Sequence, residues 1–245
     1  MDIEPVTALP PRPLRRVLLQ QQWVRLTFLH WAVPPDRVAA RLPPGVRPDT
    51  FDGVSYVGLV PFVMRGTGVL GGPGIPYLGT FCETNVRLYS VDGQGRRGVV
   101  FVSMDAARLL PVLAARSGPR LPYRWSRMRC RQRGDRVTYS CRRRPGVAGT
   151  SSLIRVRIGD PVKPGPLDHF LTARWGLHLT DRAGCTRYWP NVHEAWQLHA
   201  AAVEQLADGL LASAGFADLA ARPPDSVLYA PGVHATFGPR LPPTG

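Results

Sequence analysis

Short runs of apolar or alternating residues, separated by turns that contain Gly, Pro or Asp, extend through most of this chain. The runs VSYVGLVPFVM (54–64), TFCETNVRLYSV (80–91) and GVVFVS (98–103) are rich in β-branched and aromatic residues, which favours strands. No apolar run approaches the roughly 18 residues that a membrane-spanning helix needs. The pattern predicts a mainly β protein of the α+β class, an antiparallel barrel or sandwich with a few peripheral helices.

Periodicity and proline refine some of these elements. Pro61 interrupts the apolar run 54–64, which indicates a sheet edge or a bulge. Asp105 is expected to cap a helix of about ten residues. A spacing of four predicts one long helix over about residues 195–214; it is carried by Leu198, Ala202, Leu206 and Leu210.

One domain is the expected organisation for a chain of 245 residues without repeats or linkers. We expect residues 1–15 to form a mobile lead-in and residues 16–245 to form the single domain. The lead-in lacks the unbroken apolar stretch of a signal peptide. The four cysteines show no CxxC spacing, so we expect reduced thiols in a cytoplasmic protein.

Positive charge is concentrated in one segment of the chain. The formal net charge is +14, and Lys163 is the only lysine among 31 basic residues. Between Arg108 and Arg157, Asp135 is the only acidic residue. Arginines at 127, 129, 131 and 133 alternate, so we expect a basic strand face. Aromatic residues lie among these arginines, a combination that binds single-stranded nucleic acid in other proteins; they are Tyr123, Trp125 and Tyr139.

One predicted strand carries several polar residues on one face. In FCETNVRLY (81–89), alternation places Glu83, Asn85, Arg87 and Tyr89 on the same side. Buried polar groups need partners, so Glu83 and Arg87 either pair with each other or share an anionic ligand. A structural ion pair and a solvent-exposed face both remain open as alternatives.

The nucleotide-binding and metal-binding motifs lack the surrounding structure or residue spacing that each of them requires. GTGVLG (66–71) matches GxGxxG, but the following GPGIP (72–76) prevents the helix that would hold a pyrophosphate. No two histidines have the helical i, i+4 spacing of a zinc pair, and no carboxylate cluster accompanies them. We therefore expect neither a cofactor nor a metal.

Six segments occur together in this order along the chain: HW (30–31), LPPGVRPDTFDGVSYVGLVPF (42–62), FCETNVRLY (81–89), LPY (121–123), FLTARW (170–175) and VLYAPGVHATFG (227–238). In combination they resemble the bacterial domain-of-unknown-function family 2071 (DUF2071), from about Gln20 to Gly238. The resemblance implies the acetoacetate-decarboxylase-like fold, an antiparallel β-barrel or cone with a central pocket.

The same resemblance raises the question of a reactive lysine. Acetoacetate decarboxylase forms a Schiff base on a lysine in its pocket, and a second lysine lowers the pKa of the first. A glutamate and an arginine in the same pocket interact with the substrate. Glu83 lies in a strand motif similar to the one that bears the glutamate. The segment LPYRWSRM (121–128), where the lysines are expected, has none, and Lys163 lies in the turn PVKPG (161–165). The chain is therefore not expected to be an acetoacetate decarboxylase or to form a Schiff base.

Three functions are compatible with these observations. The first is a pocket for a small anionic metabolite, with Glu83 as the acid/base candidate; the candidate substrate-binding residues are Arg87, Asn85, Tyr56, Tyr123 and His30. An enzyme of this kind would be a lyase or isomerase acting by enolisation or dehydration. The second is a polyanion or nucleic-acid binder that uses residues 124–144, which we consider the weaker choice. The third is a non-catalytic structural or regulatory protein, and a homo-oligomer remains open for all three.

Overall fold

The computed structural model describes residues 2–69, 79–108, 121–144, 150–181 and 183–242. The described strands form one 12-stranded sheet: β1 Leu19–Val33, β2 Val46–Pro48, β3 Ser55–Val69, β4 Phe81–Asp92, β5 Arg97–Ala106, β6 Tyr123–Arg133, β7 Arg136–Arg143, β8 Ser151–Pro161, β9 Gly176–Thr180, β10 Thr186–His193, β11 His199–Asp208 and β12 Ser226–Phe237. The helices among these residues are short: α1 Pro35–Ala39, α2 Pro166–Thr172, α3 Leu210–Ser213 and a 3-10 helix at Ala217–Ala221. Within the described ranges, no helix is long and apolar enough to cross a membrane.

The sheet closes into two rings that share five strands. Strands β1, β3, β4, β5 and β12 belong to both rings. Adding β6, β7, β8 and β11 gives the larger ring, and adding β9 and β10 gives the smaller ring. The rings diverge at β5 and β12, because each of these strands pairs with different neighbours at its two ends. This architecture confirms the predicted mainly β barrel with few helices.

Alternation along the shared strands divides their side chains between the rings. On one face, Leu29, Leu59 and Leu88 are fully buried and pack into the apolar core of the larger ring, together with Ile154 of β8 and Val137 of β7. The opposite faces of β1, β3 and β4 turn towards the smaller ring. Each shared strand thus supports two interiors at once.

A bulge in β1 keeps its side chains directed into the smaller ring. Arg25 has a φ of 53°, and the pairing between β1 and β3 is irregular at this point. The extra residue reverses the alternation, so that Trp23 and Leu26 both line the smaller ring. Pro61 of β3 lies across from this irregularity. The bulge predicted from Pro61 is therefore present in the neighbouring strand, whereas Pro61 itself lies in a central strand and not at an edge.

The long helix predicted over residues 195–214 is wrong. Residues His199–Asp208 form β11, which pairs with β8 and β12, and only Leu210–Ser213 are helical. Half-buried and exposed residues alternate along most of β11, as expected for a strand. Alanine favours helices intrinsically, but pairing with two neighbouring strands outweighs that preference here.

Asp105 is not a helix cap, contrary to the prediction. It lies near the end of β5, is fully buried, and accepts hydrogen bonds from Nε and Nη2 of Arg143 at 2.8 and 2.9 Å. The hydroxyl groups of Ser126 and Ser103 donate to the same carboxylate at 2.7 and 3.0 Å. The remainder of the predicted helix, from residue 109 onward, lies outside the described residues.

The N-terminal segment, which we expected to be a mobile lead-in, lies against the barrel from residue 2 onward. The backbone N–H of Glu4 donates to the carbonyl of Gly95 at 2.9 Å, and the indole of Trp175 donates to the carbonyl of Thr7 at 3.2 Å. These partners could not be found from a Pro-rich sequence without the fold. Of the loop predicted over residues 66–76, Gly66–Val69 continue β3, and residues 70–76 lie outside the described ranges.

Candidate ligand-binding cavity

The smaller ring encloses a cavity of about 190 Å³. All seven of its strands contribute lining residues, and most of these are apolar or aromatic, such as Phe28, Phe62, Met104 and Leu177. A water molecule occupies about 30 Å³ of liquid, so the space corresponds to roughly six waters. It suits a small metabolite, and an apolar wall with a few polar groups is typical of such sites.

A polar strip from β4 crosses this apolar wall. Glu83, Asn85 and Arg87 line the cavity and are only 1%, 5% and 9% exposed. Tyr123, at the start of β6, joins them. Because a strand rises about 3.3 Å per residue, the Cα atoms of Glu83 and Arg87 are about 13 Å apart along β4. Neither residue forms an ion pair within the described part of the chain.

Glu83 is a buried carboxyl group with one oxygen directed to a tyrosine. Tyr123 Oη donates to Glu83 Oε2 at 2.7 Å. Burial raises the pKa of Glu83 from 4.5 to about 8, although Tyr123 and the amide of Asn85 favour the ionised form. The carboxyl group also interacts with the side-chain amide of Asn85, and Glu83 lines the cavity. At neutral pH the carboxyl group therefore holds a proton that a ligand can reach.

Arg87 is held by neutral groups only. Its Nη2 donates to the carbonyl of Leu171 at 2.8 Å, and its Nε donates to Tyr89 Oη at 3.2 Å. The guanidinium lies 5.4 Å from the ring centroid of Phe28. Nη1 has no partner among the described residues and is not fully buried, so this cation also presents a donor to the cavity.

A second arginine at the cavity, unlike Arg87, has a carboxylate partner within the protein. Arg174 lines the same space, but its Nη1 pairs with the buried carboxylate of Asp49, which also pairs with Arg97. Removing a charge from water is unfavourable unless an opposite charge or hydrogen bonds compensate for it. Arg174 has that compensation inside the protein, whereas Arg87 lacks a carboxylate partner.

Two of the predicted binding residues lie behind the cavity wall. His30 is fully buried, and its Nε2 lies 2.6 Å from Tyr89 Oη. Tyr89 already donates its one hydroxyl hydrogen to the carbonyl of Leu171 at 2.8 Å. The His30 ring must therefore donate to Tyr89. Burial and the nearby arginines lower the pKa of His30, so it is neutral. Tyr56 packs on Phe170 with ring centroids 5.9 Å apart. Neither residue lines the cavity, and His30 instead supports the tyrosine that holds Arg87.

Gly58 makes room for this support. A Cβ at this position would lie 3.1 Å from Cγ of Arg87 and 3.1 Å from Cδ2 of His30. Such contacts are tighter than ordinary van der Waals distances, so a larger residue would displace one of the two side chains. The glycine in the motif VSYVGLVPF therefore has a packing role beside the cavity.

The cavity also contains residues that the sequence did not indicate as ligand-binding, above all His193, which the sequence alone favours as a core or capping residue. Its Nδ1 lies 2.6 Å from the carbonyl of Glu194, and its ring centroid is 4.4 Å from Trp175 and 4.7 Å from Trp196. Burial lowers the pKa of His193 to about 4, so the ring is neutral at physiological pH. Trp175 lies in the FLTARW segment, but only the folded chain brings the end of β10 next to it.

Lys163 is not among the residues that line the cavity. It is exposed in the connection between β8 and α2, and it is the only lysine of the chain. The cavity wall therefore offers no amine for imine formation. Within the described residues, no group of three or more His, Cys, Asp or Glu side chains is placed to hold a metal ion.

The arginine-rich segment forms a separate surface on the larger ring, which we call the basic face. It consists of eight exposed arginines on the outer side of β6, β7 and β8: Arg127, Arg129, Arg131, Arg133, Arg136, Arg142, Arg155 and Arg157. In the described part of the chain, only Arg136 of this group forms an ion pair, with Asp135 and Glu204.

The aromatic residues expected to accompany these arginines lie elsewhere. Tyr123 lines the cavity, and Tyr139 is buried with its hydroxyl group bonded to the carbonyl of Arg25 at 2.7 Å. Trp125 is covered by the guanidinium of Arg144, 3.9 Å from its ring. The predicted combination of stacking rings and arginines on one face is therefore not formed.

Comparisons with known proteins agree with the fold. Residues 20–234 match the profile of DUF2071, described as an uncharacterized conserved protein. The chain is 30% identical over 190 residues to the uncharacterized protein YqjF of Bacillus subtilis (strain 168), a match that spans 76% of this chain and 77% of YqjF.

Two solved structures are similar over nearly their whole length. An acetoacetate decarboxylase-like enzyme from Sphingomonas wittichii RW1 has a TM-score of 0.64 at 13% identity, covering 96% of this chain and 97% of that chain. The enduracididine biosynthesis enzyme MppR, in complex with the condensation product of pyruvate and imidazole 4-carboxaldehyde, has a TM-score of 0.62 at 14% identity, covering 93% and 90%. At these identities the likeness establishes the acetoacetate-decarboxylase-like fold and nothing finer.

Proposed function

The chain belongs to the DUF2071 family, and from the cavity inside its barrel we propose that it binds a small carboxylate metabolite and acts on it by proton transfer, without a covalent lysine intermediate. The observation that carries the proposal is the buried guanidinium of Arg87, which faces the cavity without a carboxylate partner among the described residues. A carboxylate ligand would supply the missing charge and accept a hydrogen bond from Nη1.

Glu83 is the group that we assign to proton transfer. Glu83 lines the cavity, and its raised pKa of about 8 keeps it protonated near neutral pH. It can donate this proton to a carbonyl oxygen or to a hydroxyl group that departs as water, and the carboxylate that remains, stabilised by Tyr123, can accept the proton released from the adjacent carbon of the ligand. Proton transfer of this kind accelerates reactions by about 10²–10⁴-fold. Enolisation or dehydration, that is, an isomerase or lyase activity, fits these groups.

The similarity to MppR gives this proposal independent support. MppR holds a condensation product of pyruvate in its solved structure, and pyruvate is a small carboxylate. The ligand proposed for the present chain is of the same chemical class. The proposed chemistry forms no imine, because the present cavity has no lysine.

Replacing Arg87 with Met is expected to weaken carboxylate binding by about 30- to 1,000-fold, since losing one partner of a buried charge pair costs about 2–4 kcal/mol. Calorimetric titration with two- to six-carbon carboxylates and their neutral amides measures the effect. Arg127→Met, on the exposed basic face, is the matched control and should leave binding unchanged. Equal binding of acids and amides by the wild-type protein, or undiminished acid binding by Arg87→Met, would contradict the proposal.

A second candidate function is favoured by the basic face, where seven of the eight exposed arginines have no ion-pair partner among the described residues. Without stacking rings on this face, the contact would be with phosphate groups of a double-stranded nucleic acid and not with bases. Replacing Arg129, Arg131, Arg155 and Arg157 with Gln should reduce the slope of log affinity against log salt by about three to four for a duplex probe. The measurement is fluorescence anisotropy from low to physiological salt. An absence of duplex binding at low salt would remove this candidate.

A further inference from the structure

His193 is enclosed by tryptophans whose polar atoms are already in use. Trp23 Nε1 donates to Gln21 Oε1 at 2.9 Å, Trp175 Nε1 to Thr7 O at 3.2 Å, and Trp196 Nε1 to Thr172 O at 2.9 Å. The rings of Trp23, Trp175 and Trp196 lie 6.0, 4.4 and 4.7 Å from the imidazole. The indole N–H groups around the imidazole are therefore not available to a ligand.

The hydrogen bond at Nδ1 determines what the imidazole offers. A carbonyl oxygen only accepts, so the 2.6 Å contact with Glu194 O requires a hydrogen on Nδ1. In the neutral ring Nε2 then carries the lone pair. The carboxylate of Glu194 is itself held by the backbone N–H of His234 at 2.8 Å, which fixes this corner of the chain.

Nε2 of His193 is open to the cavity. It has no partner among the described residues and is not fully buried, although His193 as a whole is only 7% exposed and lines the cavity. A nearly enclosed acceptor without a donor is unfavourable. The site is thus complementary to a ligand atom that donates a hydrogen bond.

His193 and Arg87 share one wall of the cavity. The guanidinium lies 5.4 Å from Phe28, Phe28 lies 5.2 Å from Trp196, and Trp196 lies 4.7 Å from His193. Two aromatic rings therefore separate the anion-binding group from the hydrogen-bond acceptor. One small ligand with an apolar middle part can lie along these rings and reach both groups.

Building on the proposed function, we propose that the ligand is a small hydroxycarboxylic acid, whose carboxylate binds Arg87 and whose hydroxyl group donates to Nε2 of His193. An oxo acid would direct a second lone pair at Nε2, and an unsubstituted acid would leave Nε2 without a donor. An ammonium group needs an anionic partner, and the described cavity residues provide none besides Glu83, which is protonated near neutral pH. His193 is thus a specificity-determining residue.

The experiment compares hydroxy, oxo and unsubstituted acids of four to six carbons in which methylene groups separate the substituent from the carboxylate, including 4-hydroxypentanoate, 4-oxopentanoate and pentanoate. The wild-type protein should bind the hydroxy member at least about tenfold more tightly than the unsubstituted member at one chain length or more. His193→Phe keeps a ring but loses the acceptor, so the preference should disappear. His193→Gln places an amide oxygen near the position of Nε2 and should restore part of it.

Thermal unfolding shows whether each variant is folded, and His193→Met is the second variant without an acceptor should His193→Phe fail to fold. A hydroxyl preference that persists in a folded variant without an acceptor overturns the inference, as does a wild-type protein without any such preference. The Arg87→Met result on unsubstituted acids and amides decides the proposed function separately. The two failures are therefore distinguishable.

Discussion

Between pH 5 and pH 9, the wild-type protein is expected to lose about 4 kcal/mol of unfolding free energy relative to Glu83→Gln. The cause is the pKa of Glu83, which burial raises from 4.5 in the unfolded chain to about 8 in the folded protein. Between these two values the folded state binds more protons than the unfolded state, so stability falls as the pH rises. Each unit of pKa difference corresponds to about 1.4 kcal/mol.

The difference between the two proteins is the informative quantity because other groups titrate in the opposite sense. Burial lowers the pKa of His30, His178 and His193, so these residues destabilise the fold as the pH falls through their unfolded pKa near 6.5. Both proteins share that contribution. Subtracting one profile from the other leaves the part that belongs to Glu83.

Urea unfolding at pH 5, 7 and 9 measures this effect. Glu83→Gln retains the size of the side chain and a hydrogen-bonding partner for Tyr123, but it has no proton to lose. Glu204→Gln, at an exposed carboxylate that pairs with Arg136, is the control and should follow the wild-type profile. Parallel pH profiles for the wild type and Glu83→Gln would show that the pKa of Glu83 is not raised in the folded protein.

Replacing Asp105 with Ala is expected to lower the free energy of unfolding by about 3–5 kcal/mol at neutral pH. The Asp105 side chain is fully buried and that of Arg143 is 6% exposed, so the substitution leaves a buried guanidinium without its carboxylate. Ser126 and Ser103 would also lose an acceptor. The penalty is large because the guanidinium side chain, only 6% exposed, would have little contact with water and no carboxylate partner.

Asp135→Ala is the matched control for this prediction. Asp135 also pairs with an arginine, Arg136, but the two side chains are 52% and 54% exposed. Exposed ion pairs contribute only about 0–1 kcal/mol, so the control should be nearly neutral in urea unfolding. Replacing both members of the buried pair, as in Asp105→Leu with Arg143→Met, should recover much of the loss. Equal effects of Asp105→Ala and Asp135→Ala would contradict the buried-pair interpretation.

The sequence predicted the polar strip of β4 because its information is local. Period-two alternation in FCETNVRLY depends only on neighbouring residues, and it correctly places Glu83, Asn85 and Arg87 on one face. The sequence could not predict that Arg87 has no acidic partner among the described residues. That outcome depends on Asp49, which binds Arg174 and Arg97 from distant parts of the chain.

The features that the sequence missed arise from contacts between distant strands. β11 was misassigned because its alanines and leucines also fit a helical spacing, and only pairing with β8 decides between the two. His193 gave no clear signal because its surroundings come from β1, from the segment before β9 and from the segment after β10. The division into two rings likewise follows from the branching of β5 and β12, which leaves no trace in local periodicity.

The five strands common to both rings have a consequence for how this fold diverges. Positions that face the larger ring maintain the packed core, whereas the alternate positions on β1, β3 and β4 form the cavity wall. Successive residues of one strand are therefore under different selective constraints. Natural drift or a designed library can alter the cavity positions, and with them the ligand that is accepted, while the neighbouring positions preserve the barrel. Two acetoacetate-decarboxylase-like structures share this architecture at only 13–14% identity.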